Sequence, residues 1–139
     1  MFGKGQHKKA TERLVQQLMA LNPGANRDSM LKCRDFDANG LLENWSLSHC
    51  KIAELPKSFR AVRCTGGLYL FGNQLESLPR SFSNLSVGGD LNLGSNKLRC
   101  LPSNFEQIRV GGRLNLCGNL ELTGIPTEFP NVKDTVSRP

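Results

Sequence analysis

Leucines alternate with polar residues in four short stretches: "WSLSHCKI" from Trp45, "LYLFGNQL" from Leu68, "LNLGSNKL" from Leu91 and "LNLCGNLEL" from Leu114. Alternation of this kind marks a strand with one buried face, because successive side chains point to opposite sides. The stretches recur at a fixed interval. Leu55-Pro56, Leu78-Pro79 and Leu101-Pro102 are 23 residues apart, and Ile125-Pro126 follows at 24. Phe59, Phe82, Phe105 and Phe129 keep the same intervals, and "CTGG", "VGGD" and "VGGR" stand between the strands. Each unit therefore predicts a short strand, a turn, an extended Leu-Pro corner and a return through Phe to a glycine pair. Proline in the return segment predicts irregular or 3₁₀ turns rather than long helices. Ahead of the units, Leu14, Leu18 and Leu21 lie at i, i+4 and i+7, predicting an amphipathic helix over Lys9 to Leu21 that ends at "NPG". Asp28 or Ser29 is placed to cap a second short helix before Cys33.

The residue types fit such a stack. Asn73, Asn96 and Asn119, with Cys50 as the substitute, follow each strand where the chain turns inward. A buried Asn there can bond backbone groups of neighbouring units that the turn leaves unpaired. Phe59, Phe82 and Phe105, each with Val62, Leu85 or Ile108 three residues on, are expected to fill the far layer. The glycine pairs allow a tight turn where a Cβ would clash.

The unit reads L-x-L-x-x-N-x-L-x-x-L-P-x-x-F-x-x-L-x-V-G-G-x, and four aligned copies of it cover about residues 36–132. It resembles the leucine-rich repeat. The LP-x-x-F half is similar to the 23-residue repeats of Ras-pathway scaffolds and of some bacterial effectors, while V-G-G replaces the leucine usual before the strand. The resemblance implies an α/β solenoid: an arc with short parallel strands on its concave face and an N-terminal helical cap. Its divisions are a basic segment with the capping helix at 1–35, repeats at 36–132 and a C-terminal tail at 133–139. Phe36 and Leu41 are expected in a partial repeat, and the extra residue between Leu120 and Gly124 predicts a bulge or widened turn. The closing "PNVKDTVSRP" holds no helix: either Pro130 and a short tail blunt the last repeat, or that edge contacts another chain.

Composition narrows the class. With 38% hydrophobic and 22% charged residues the chain is not disordered as a whole, and no apolar run reaches membrane-spanning length. The net charge of +6 is unevenly placed. Residues 1–34 hold seven basic residues against Glu12 and Asp28, whereas the remainder is close to neutral. The start, "MFGKGQHKKATERL", lacks the apolar core of a secretory signal and reads as a basic helix start. Nucleic-acid contact through Lys4, Lys8, Lys9 and Arg13 is a minor alternative, since no aromatic platform accompanies them. Five cysteines without a C-x-x-C, two of them at repeat positions facing inward, read as reduced thiols of an intracellular protein, most simply a cytoplasmic one.

Catalytic constellations are missing from the pattern. His7 and His49 are the only histidines, too few for a metal cluster or a triad, and no phosphate loop is present. "RDFDANG" from Arg34 lacks the glutamate that would complete a calcium loop and is expected to form an Asx turn. The expectation is a non-catalytic protein with no cofactor and no metal. Its chemistry should lie on the concave face, where the outward positions are small or polar except Tyr69 and Phe71. Exposed aromatics beside small residues fit an interface anchor. Asp90, Asn92, Arg113 and Asn115 should flank them in two columns, with His49 at the rim. The asparagines also fit a purely structural ladder. The function expected is a protein–protein interaction module, a scaffold or adaptor; the alternative is a permanent subunit of a large protein or ribonucleoprotein assembly.

Overall fold

A computed structural model describes residues 4–139; the first three residues of the expected segment 1–35 lie outside the described residues. The protein is a mixed α/β fold with an N-terminal helix and two sheets of mainly parallel strands. The helices are α1 (Lys4–Leu21) and α2 (Arg27–Lys32). The strands are β1 (Arg34–Phe36), β2 (Leu42–Ser46), β3 (Arg63–Cys64), β4 (Leu68–Tyr69), β5 (Ser86–Val87), β6 (Leu91–Asn92), β7 (Arg109–Val110), β8 (Leu114–Asn115) and β9 (Val136–Ser137).

The 23-residue period becomes the pairing register. Trp45 pairs with Leu68, Leu68 with Leu91 and Leu91 with Leu114, all parallel. The larger sheet runs β1-β2-β4-β6-β8-β9 and the smaller β3-β5-β7. The smaller sheet comes from the residues just before the glycine pairs, which the sequence pattern assigns only to a turn. Between β2 and β8 each unit returns through a 3₁₀ turn, at Lys57–Ala61, Arg80–Asn84 and Phe105–Gln107.

Leu68, Leu91 and Leu114, with Leu70, Leu93 and Leu116, are fully buried on the inner face of the larger sheet. Trp45 from β2 heads a row in which it and Phe59, Phe82 and Phe105 of the return segments stack in sequence with ring centroids 6.2–6.3 Å apart, and Phe129 closes the row edge-on at 6.0 Å. Such rings bury large apolar areas and add pairwise ring attraction to it. The glycine pairs work as expected. A Cβ at Gly111 would land on the Gly88 carbonyl oxygen, and one at Gly88 on that of Thr65.

Asparagines close the turns after the strands. Asn73 Oδ1 accepts from the Cys50 and Ile52 amides, and its Nδ2 donates to the Leu47 and Leu70 carbonyls. Asn96 and Asn119 repeat the arrangement one and two units on. At the head of the row stands Asn22, unforeseen, from the end of α1. Its Oδ1 takes the Ala53 and Glu54 amides, and its Nδ2 donates to the Leu18 and Glu54 carbonyls.

The cap differs from expectation in three respects. α1 starts before Lys9, at Lys4, and buries Leu14, Val15 and Leu18 against the first unit. The cap of α2 is Asn26, whose Oδ1 accepts from Ser29 N at 3.1 Å, in place of Asp28 or Ser29. Residues 34–41 make no partial parallel repeat: β1 pairs antiparallel with β2. The cause is Asp37, whose Oδ1 accepts from the Asn39 and Leu41 amides at 2.8 and 3.0 Å and folds the chain into an Asx turn with Gly40 at φ 77. Trp45 Nε1 donates to the Met30 carbonyl at 2.9 Å, fastening α2 to the first unit. Arg34 ties both helices down, donating to the Leu31 carbonyl and to Thr11 Oγ1 at 2.8 and 2.9 Å.

At the other end, residues 133–139 are not a loose tail. β9 extends the larger sheet in parallel with β8, so the edge strand is β9 itself. Arg138 folds back over the Phe129 ring at 5.7 Å and donates to the Pro126 and Thr127 carbonyls. The extra residue of the last unit forms a turn, with Leu122 N donating to the Asn119 carbonyl, and leaves Leu120 91% exposed.

Candidate binding face

The outer side of the larger sheet carries the residues singled out in the sequence, and it divides them. Tyr69, Asp90, Asn92, Arg113 and Asn115 line one shallow cleft of about 310 Å³, together with Leu91, Cys117 and Ser137. Parallel register brings them there: Tyr69 pairs with Asn92, Asn92 with Asn115 and Asn115 with Ser137. His49 and Phe71 stand apart from the cleft, packed edge to face with centroids 5.4 Å apart.

Neither aromatic projects as the sequence suggests. Tyr69 lies back along its strand, over the place a Cβ on Gly67 would need, and both residues are at least partly covered. The Phe71 ring leans on Gly94, whose Cβ would come within 3.1 Å of Cδ2, so the expected dip is filled by the ring itself. His49 lies in the same way against Gly72.

The asparagines are structural and lining at once. Asn115 Nδ2 donates to Asn92 Oδ1 at 3.0 Å, and that oxygen also accepts from Gly94 N at 2.9 Å. Asn115 Oδ1 accepts from Cys117 N at 2.9 Å. Their orientation is thus fixed before any ligand arrives, which lowers the entropy lost on binding. Asp90 Oδ1 accepts from Arg113 N at 2.7 Å, and the Arg113 guanidinium reaches Asp134 at 3.7 Å. An acid and a base flank a row of amides, so the cleft offers donors and acceptors in a set order. Cys117 and Ser137 line the cleft as well, although nothing in the repeat pattern marks them as binding residues. Ser137 was legible only as one outward position in the alternation Thr135, Val136, Ser137.

A row of left-handed residues borders the face. His49, Gly72, Ser95 and Gly118, each just before an inward-turning position, have φ of 54, 73, 51 and 80. Side chains alternate with glycines down this row: His49 fills the space above Gly72, and Ser95 Oγ would be 2.8 Å from a Cβ on Gly118.

All five thiols are free. Burial pushes the Cys64 thiol up to about 12 and raises that of Cys50, which a hydrogen bond with Ser29 partly offsets. Raised thiols of this kind are poor nucleophiles. Among the described residues no group of three or more His, Cys, Asp or Glu side chains is placed to hold a metal ion, and no helix is long and apolar enough to cross a membrane.

Compared with protein families, with curated proteins and with solved structures, the chain finds no match in any of the three.

Proposed function

We propose that the chain is a leucine-rich-repeat solenoid that serves as a non-catalytic protein–protein interaction module, receiving a segment of a protein partner on its concave sheet face. The period-locked register, the stacked phenylalanines and the buried asparagine ladder support the solenoid reading. One observation carries the functional one: five of the seven residues chosen from sequence line a single cleft whose polar groups are already oriented by the fold. Tyr69 is the apolar anchor; Asp90 and Arg113 set charge; Asn92 and Asn115 present amides to a peptide backbone. His49 and Phe71 form a second, smaller contact at the rim.

Permanent residence in a large assembly is the alternative, with β9 as the contact edge. The Arg138 side chain, folded over Phe129 and bonded to two carbonyls, covers the apolar ring that ends the last unit, which favours the sheet face. Five free thiols support a reducing intracellular compartment.

The test is site-specific photocrosslinking of the full chain in native lysate, with the probe at Asn92, at Ser137 or on the exposed end at Glu128. A partner crosslinked from Asn92 and Ser137, and weakened by about 2 kcal/mol or more in Tyr69→Ala, is the expected result. Crosslinks from Glu128 alone, or binding indifferent to Tyr69→Ala in a folded variant, would overturn the assignment.

A further inference from the structure

A second surface, sharing no lining residue with the sheet-face cleft, lies where α1 meets the first unit. Leu14 from α1, Leu42 from β2 and Val62 just before β3 form the buried floor of a groove of about 280 Å³. Ala10 and Ala61 supply small walls, so the groove has width for a large apolar side chain. A hydrogen bond between Ser58 and Gln17 ties the helix to the 3₁₀ turn at one part of the rim.

Among the described residues, the charged side chains that line the groove, Arg13 and Arg63, are of one sign and form no ion pair. Both line it, Arg13 from the helix and Arg63 from β3. Among the described residues the Arg13 side chain makes no ion pair or hydrogen bond. Arg63 spends its guanidinium on the Arg60 and Val62 carbonyls, at 2.6 and 3.0 Å, which neutralise nothing. The carboxylate of α1, Glu12, is turned away toward Arg34 at 3.9 Å. An apolar floor between two uncompensated cations is complementary to an apolar side chain flanked by carboxylates.

We propose that this groove docks an acidic segment of a protein partner, which inserts one aliphatic or aromatic side chain onto Leu14, Leu42 and Val62 and places carboxylates on Arg13 and Arg63. Nucleic acid would satisfy the two arginines and leave the apolar floor unused. An anionic bilayer would meet the outer face of α1 and not the recessed floor. The surface is separate from the sheet-face cleft, and neither reading depends on the other.

The experiment is selection of short random peptides on the immobilised full chain, followed by fluorescence anisotropy with the enriched sequences. Enriched peptides should carry Asp or Glu beside one large apolar residue. Their affinity should fall about tenfold or more in Arg13→Glu and in Arg63→Glu. Ala61→Trp, an exposed position whose new ring would fill the groove, should abolish binding while Tyr69→Ala leaves it unchanged. Circular dichroism reports that each variant is folded. The proposal is overturned if no acidic, apolar-anchored class is enriched, or if the peptides bind Ala61→Trp as they bind the parent. It is equally overturned if poly(dT), or vesicles of equal parts phosphatidylcholine and phosphatidylserine, displace the peptides and bind the Ala61→Trp variant undiminished.

Discussion

Asn96 offers a direct reading of what the inner ladder contributes. Its Oδ1 is the acceptor for the Leu75 amide at 3.1 Å, and its Nδ2 donates to the Leu70, Leu93 and Gly94 carbonyls at 2.9, 3.1 and 3.2 Å. Those carbonyls are not equally dependent on it. Leu70 keeps Asn73 as a donor, Leu93 keeps Asn119, and Gly94 keeps the Gly72 amide. Only the Leu75 amide is left with no partner, and it lies beside a residue buried to 0% exposure. In Asn96→Ala that orphaned donor costs about 1–3 kcal/mol. The vacated space and the weakened carbonyl contacts bring the expected total to about 3 kcal/mol, or roughly 10 °C in Tm for a chain of this size. Asn92→Ala is the control, because its half-buried bonds exchange for water and should cost about 1 kcal/mol or less. Urea unfolding of both variants, followed by far-ultraviolet circular dichroism, gives the two differences directly. Equal losses for the two, or a loss for Asn96→Ala below about 1 kcal/mol with an unchanged m-value, would refute the reasoning.

Two further predictions concern the spacing of the units and the buried thiols. Gly111→Ala forces a Cβ onto the Gly88 carbonyl oxygen, a backbone atom that cannot swing aside, and should cost about 2 kcal/mol or more; Gly24→Ala, in open space, should change stability by a few tenths, and similar denaturation midpoints for the two would sink the argument. Because the Cys64 thiol is raised from 9.0 to about 12 in the fold, the folded state holds its proton longer than the unfolded state. Its contribution to stability is therefore complete below the ordinary value and lost as pH rises toward the raised one. Urea midpoints should fall more steeply with alkaline pH in the parent than in Cys64→Ala, and parallel curves would contradict this.

What the sequence makes legible is what repeats. The interval between leucines is the offset between β4, β6 and β8, and the interval between phenylalanines is the stack of rings, because a parallel register converts sequence period into spatial adjacency. Features that occur once are harder to read. Phe36 and Leu41 fit a partial repeat by spacing alone, and only the Asp37 side chain, closing a four-residue turn, decides for a hairpin. Asn22 does the work of a ladder asparagine from a helix end, outside the period, so no alignment of units reveals it. At the binding face the columns follow from alternation, but whether Tyr69 stands or reclines depends on the bareness of Gly67 just before its strand. β9 escapes because a two-residue strand carries too short an alternation to be told from a tail.

Bearing and bare residues take turns down the left-handed row, so neighbouring units are interchangeable in backbone but not in side chain. His49 needs a glycine beneath its imidazole, and Ser95 stands over another. Excising the unit that carries Gly72 would bring His49 above Ser95, where a Cβ already occupies the ring's place; excising the unit that carries Ser95 would leave the imidazole on Gly72 and set Gly72 above Gly118. Where this protein can lose a unit without repacking its rim is therefore set by which residue ends up beneath the imidazole, a restriction that the period of its leucines does not announce.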